Sequence, residues 1–89
     1  MAGVDVTRGA VQKAMSSCVT VSNELQTASR KLTEQYNSAG SGWKDAKYRE
    51  LGEIISECNA AIKSPVSQLA DCYKSLKELD AIIAEYENA

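Results

Sequence analysis

The sequence predicts an all-α fold, an antiparallel two-helix hairpin that assembles into a four-helix bundle as a dimer. Three observations carry this. Apolar residues recur every seven positions through two long segments. One cluster of turn residues, Asn37-Ser38-Ala39-Gly40-Ser41-Gly42, separates them, and the chain has only one Pro and five Gly in 89 residues. Nothing alternates with period two over a strand's length. Aromatic residues make up 6 % and Phe is absent, so any core is aliphatic and small-residue in character.

The first helix is expected over about residues 5–38. Val4, Val11, Cys18, Leu25 and Leu32 occupy one seam position, with Thr7, Ala14, Val21, Ala28 and Gln35 as its companion. A turn over 39–43 follows. The second helix is expected over about 44–87, with Tyr48, Ile55, Ile62, Leu69, Leu76 and Ile83 on one seam position. Leu51, Cys58, Pro65, Cys72, Leu79 and Tyr86 take the other. Polar residues such as Arg49, Glu50, Glu57, Lys63, Asp71, Lys77, Glu78 and Glu85 fill the outward positions, as a sustained a/d heptad requires. Pro65 lies inside this run. A proline removes a backbone donor and crowds the preceding turn, but the heptad phase carries through, so a kinked continuous helix is expected. Residues 1–89 thus form a single helical-hairpin domain.

A short linker forces an antiparallel return. Large residues meet small ones if facing numbers total about 83, which sets Leu32 against Leu51, Ala28 against Ile55 and Val11 against Cys72. In that register the last turns of the second helix, with Leu79, Ile82, Ile83 and Tyr86, overhang without a partner. Met15, Tyr36, Ile54, Val66 and Tyr73 widen the apolar stripe beyond a two-helix seam. These nine residues are the expected partner-binding surface, satisfied by a second hairpin or a helical partner.

The chemistry of the chain is spare. Lys and Arg total 10 against 12 Asp and Glu, and there is no His. The balance supplies no basic patch for nucleic acid, and no apolar run reaches the roughly 18–20 residues of a membrane span. The opening residues lack the basic and apolar regions of a cleavable signal peptide. Glu50, Glu53 and Glu57 could line one helix face, but without His the pattern reads as a solvated face and not a metal site. Gly40-Ser41-Gly42 lacks the elements of a phosphate loop. No nucleophile has a base beside it. No catalytic, metal or cofactor site is expected, and the chain reads as non-enzymatic. In the assumed register Cys18, Cys58 and Cys72 lie too far apart to bridge within the chain. They are expected as buried free thiols, in keeping with synthesis in a reducing cytoplasm, with an intermolecular disulfide as the alternative. Trp43, the only Trp, sits at the hairpin tip just before Asp45. It can staple the turn or serve as a recognition hot spot.

The arrangement resembles the WXG family of small helical hairpins of type VII secretion in Gram-positive and mycobacterial cells. The resemblance rests on size, two long helices and the tip segment from Gly40 to Leu51. Gly42, Trp43 and Asp45 form a Trp-x-Asp variant of the family's Trp-x-Gly turn. It implies pairing as a homodimer, with a homologous hairpin, or with the helical N-terminal region of a secreted toxin, and engagement of a secretion ATPase. It also implies synthesis in the cytoplasm and secretion without a cleavable signal. The family's C-terminal motif places an acidic residue four positions after an aromatic one. Tyr86 is followed by only three residues and Tyr73 by Lys77 at that spacing, which implies that a partner carries the export signal. The alternative is a cytosolic structural coiled-coil module unrelated to secretion.

Overall fold

In a computed structural model the chain is an all-α helical hairpin. The structure describes the backbone of residues 2–88 and the side chains of residues 8–88, so the seam positions Val4 and Thr7 lie outside the described side chains. Helix α1 spans Ala2–Ala39, α2 spans Ala46–Ala61 and α3 spans Lys63–Asn88. The first arm is thus somewhat longer than expected and the turn, residues 40–45, sits slightly later. The molecule is a rod of 66 × 16 × 14 Å.

Helices α2 and α3 are one bent arm. Pro65 has no N–H to donate to the carbonyl of Ala61, and α2 ends at Ala61, one turn before the proline. Ile62 bridges the break in helical geometry. Its amide donates to the Cys58 carbonyl at 3.2 Å, and its carbonyl accepts from the Val66 amide at 3.0 Å. The bond missing at Pro65 bends the arm without ending it.

The seam differs from the expected one in a regular way. On the second arm Tyr48, Ile55, Ile62, Leu69, Leu76 and Ile83 do face inward, buried or half-buried, and the polar outward set is exposed. Their companions lie four residues on, at Gly52, Asn59, Val66, Tyr73 and Asp80, where three had been expected. Of the expected companions, Leu51 and Pro65 are half-buried, whereas Cys58, Cys72, Leu79 and Tyr86 are exposed. On α1 the inward companions of Val11, Cys18 and Leu25 are Met15, Ser22, Ser29 and Tyr36, while Val21, Leu32, Ala28 and Gln35 face outward. The register is shifted as well. Facing residues have numbers totalling 88, as Arg8 with Asp80 and Ser29 with Asn59 show.

This register removes the expected overhang. Arg8 near the start of α1 reaches Asp80 at 3.1 Å and Glu87 at 3.3 Å, so the last turns of α3 lie beside α1. Ile83 is half-buried there. Small seam residues explain the packing. Ser22, Ser29 and Gly52 are half-buried there and let the two backbones approach closely. Ser29, Thr33 and Asn59 satisfy one another inside the seam. The Ser29 hydroxyl donates to Asn59 Oδ1, Asn59 Nδ2 donates to Thr33 Oγ1 at 2.9 Å, and Thr33 Oγ1 donates to the Ser29 carbonyl at 3.0 Å.

The apolar core is thin. Among the described residues only Val11, Cys18 and Ile55 are buried, and Ile55 is the most enclosed at 5 % exposure. Replacing Ile55 by Asp should unfold the hairpin, because an unpaired buried charge costs several kcal/mol. Loss of the helical circular dichroism signal at 25 °C checks this. Asn59→Ala should cost about 1–3 kcal/mol by taking the acceptor from the half-buried Ser29 hydroxyl, read from the midpoint of urea unfolding.

Candidate functional site, the hairpin tip

The turn closes α1 by ordinary backbone pairing. The Gly40 amide donates to the Tyr36 carbonyl, the Gly42 and Trp43 amides to Ala39, and the Ser41 amide to Ser38, all at 3.1–3.3 Å. Helix α2 opens on Asp45, whose extended backbone and side-chain acceptance of the Tyr48 amide at 3.1 Å make it the N-cap. A short polar side chain there satisfies an amide that the helix itself leaves without a partner.

Asp45 has a second task. Its Oδ1 also accepts the indole N–H of Trp43 at 2.7 Å, and the Trp43 ring lies tilted against Tyr48 with centroids 5.5 Å apart. One carboxylate oxygen therefore starts α2 and sets the orientation of the tip Trp. Trp43 remains 39 % exposed, so a large part of its surface faces outward from this fixed position.

Tyr48 links the tip to the seam. Its ring stacks on Tyr36 with centroids 4.2 Å apart and 3° between planes, and its hydroxyl donates to the Tyr36 carbonyl at 2.8 Å. That carbonyl, which also accepts from the Gly40 amide, is among the last in α1, where helical N–H donors run out. Burial pushes the Tyr48 phenol above its ordinary pKa, and its contact with Tyr36 adds to the shift. Two glycines make room for the pair. A Cβ on Gly40 would overlap the Tyr48 hydroxyl and come within 2.9 Å of Tyr48 Cζ. One on Gly52 would overlap the Tyr36 hydroxyl in the same way.

The expected motif of Gly42, Trp43 and Asp45 is thus partly brought together. Trp43 and Asp45 are bonded to each other. Gly42 has open space where a Cβ would stand, and its backbone is not left-handed, so it constrains nothing. Gly40 is the glycine the tip requires. Gly52 escaped notice too, although an isolated glycine inside a helical run is a recognisable sign of close packing.

The nine residues expected to bind a partner divide in two. Met15, Tyr36, Val66, Tyr73 and Ile83 are half-buried within the hairpin seam. They do not widen the stripe as supposed, because the seam itself runs through them. Ile54, Leu79, Ile82 and Tyr86 are exposed, at 55, 42, 61 and 68 %. Leu79, Ile82 and Tyr86 stand at spacings of three and four residues, which aligns them along one side of α3. Outward-facing Val19, Val21 and Leu32 add apolar surface on α1.

Glu50, Glu53 and Glu57 are exposed, and Glu50 meets Lys47 at 3.4 Å. Among the described residues no three His, Cys, Asp or Glu side chains lie together as a metal site would need, and no helix is long and apolar enough to cross a membrane. Open grooves run between the arms, one past Ser29, Asn59 and Val66 and one past Cys18, Leu69 and Tyr73. The cysteines are a correction. Cys58 and Cys72 are exposed where burial had been expected, and the thiol of Cys72 neighbours that of Cys18.

Asp45→Ala should destabilise the hairpin by about 1 kcal/mol, the ordinary value of an N-cap. It should also change the fluorescence of the single Trp, because the indole loses its acceptor. Gly40→Ala should cost about 1–3 kcal/mol by overpacking against Tyr48, while Gly42→Ala should stay within about 0.5 kcal/mol of the parent. Thermal melts of the three variants check the order.

No protein-family model, curated protein or solved structure matches this chain.

Proposed function

We propose that the chain is a non-enzymatic helical hairpin of type VII secretion, resembling the WXG family and acting as a dimer or as the companion of a larger secreted toxin. The observation that carries the reading is the hairpin tip. Trp43 is locked by Asp45 and Tyr48 in one orientation with much of its surface outward. A pre-oriented aromatic gives up little freedom when a partner covers it, which favours recognition.

The surface area supports the need for a partner. A compact monomer of 9.6 kDa exposes roughly 5,100 Å², whereas this chain exposes 6517 Å². The excess is larger than the roughly 800 Å² that each partner buries in a typical specific complex. Two hairpins packed as a four-helix bundle, or one hairpin against the toxin's helical N-terminal region, would cover it. Ile54, Leu79, Ile82 and Tyr86 are the residues assigned to that contact. The seam-lining Met15, Tyr36, Val66, Tyr73 and Ile83 support it from beneath. The chain is made in the cytoplasm and leaves by the type VII route, engaging the secretion ATPase alone or through its companion.

Two measurements test the proposal. Light scattering after size exclusion in reducing buffer should give a dimer mass at tens of micromolar, and Ile82→Asp should reduce it to monomer while the helical signal is kept. A monomer at all concentrations assigns the surface to a different protein, to be sought as a toxin or sister hairpin encoded beside it. Expressed with that neighbour in cells carrying a type VII ATPase, the chain should reach the medium. It should be retained when the ATPase is inactivated and weakened in export by Trp43→Ala. Equal release from both cells would return the chain to the cytosolic coiled-coil alternative.

A further inference from the structure

We infer that Cys18 and Cys72 form a cross-link site, an intramolecular disulfide that closes the middle of the hairpin when the protein meets a disulfide oxidant. The placement rests on the register. Arg8 opposite Asp80 and Ser29 opposite Asn59 tie the arms on either side of Cys18. Between these ties residue 18 lies level with residue 70, so Cys72 is two residues, or about 3 Å, further along the axis. Cys18 shares one interhelical groove with Leu69, Ala70 and Tyr73, the residues around Cys72. Helices packed at ~8–10 Å put facing Cα atoms near the span a disulfide needs, ~4.4–6.8 Å.

The two thiols differ in access, and that orders the reaction. Cys72 is exposed and Cys18 is 8 % exposed. Burial raises the Cys18 thiol above its usual pKa, and the neighbouring Cys72 adds to this, so Cys18 is the weaker first nucleophile. The Cys72 thiolate attacks a small disulfide such as oxidised glutathione, forming a mixed disulfide and releasing one thiol. The Cys18 thiol gives its proton to water and attacks Cys72 Sγ, expelling the second thiol. One oxidant disulfide is reduced to two thiols as two cysteines become one disulfide. Closing so long a loop restricts the unfolded chain strongly and stabilises the hairpin. Cys58, exposed and on the bent arm short of Ile62, takes no part. The inference is independent of the secretion reading.

The test uses the full chain, reduced and then incubated with oxidised glutathione. Trypsin separates the cysteines onto peptides 14–30, 50–63 and 64–74. Mass spectrometry without reductant should find 14–30 joined to 64–74 in a monomer that has lost two hydrogens. The melting temperature should rise by about 10 °C or more and fall back on reduction. Cys58→Ser should behave like the parent, and Cys18→Ser and Cys72→Ser should each abolish the rise. A product bearing only mixed disulfides, a link through Cys58 or a covalent dimer would overturn the inference. So would a 14–30 to 64–74 link without thermal gain. Mapping of the parent chain decides the point even where a variant fails to fold.

Discussion

Two helices that touch along an apolar seam can slide past one another by a turn and still bury similar area, since hydrophobic contact has no direction. The Asn59 side chain removes that freedom. It accepts from Ser29 and donates to Thr33, and these partners stand in the seam at one register alone. A slip of one turn would break both bonds of the Asn59 amide and take the acceptor from the Ser29 hydroxyl, and each half-buried polar group left without a partner costs about 1–3 kcal/mol. Polar side chains in an otherwise apolar helical interface are the best-attested means of fixing alignment. With three buried side chains among those described, the molecule has little else to set it.

The other features follow from that alignment. With Ser29 against Asn59, the Tyr36 and Tyr48 rings fall at one level and stack, and glycines 40 and 52 stand where the phenols need space. The tip is then closed from both sides. Tyr48 caps a late carbonyl of α1 while Asp45 caps the Tyr48 amide in the first turn of α2. At the open end the same alignment delivers Arg8 to Asp80 and Glu87. Partly open to solvent, these pairs contribute little in water. Their value is positional, since they record how far the register holds along the rod.

Much of this was legible in the sequence, and the errors have one source. Helix type, hairpin order, the turn, the bend at Pro65 and one complete seam position of the second arm follow from periodicity and punctuation. The companion position does not, because residues three and four places along a helix both border the seam. Hydropathy favoured Val21, Ala28 and Leu32 over Ser22, Ser29 and Thr33. It could not register that the polar set carries its own hydrogen-bond partners. Choosing the wrong companion also moved the register by about five residues, and from that came the supposed overhang and the separation of Cys18 from Cys72. At the tip, Trp43 and Asp45 were visible as a motif. The spacing of Asp45 from Tyr48 could have shown the N-cap, but the need for Gly40 depends on a ring from the far side of the turn.

A chain stabilised by directional ties and little buried area is left with a surplus of apolar surface. That surplus cannot be hidden by folding further. Two helices form a single layer, and each helix has a far side that only a second layer can cover. Seen this way, the exposure of Ile54, Leu79, Ile82 and Tyr86 is a consequence of the hairpin architecture. The polar clamp and the capped tip hold the shape of the hairpin by itself, so the outward residues stand at fixed spacings. Association then need not also order the chain, a cost that commonly offsets several kcal/mol of interface energy. The same rigidity lets a thiol on one arm stay beside a thiol on the other. Register, set by a few polar atoms, is what both the proposed binding surface and the proposed cross-link site inherit.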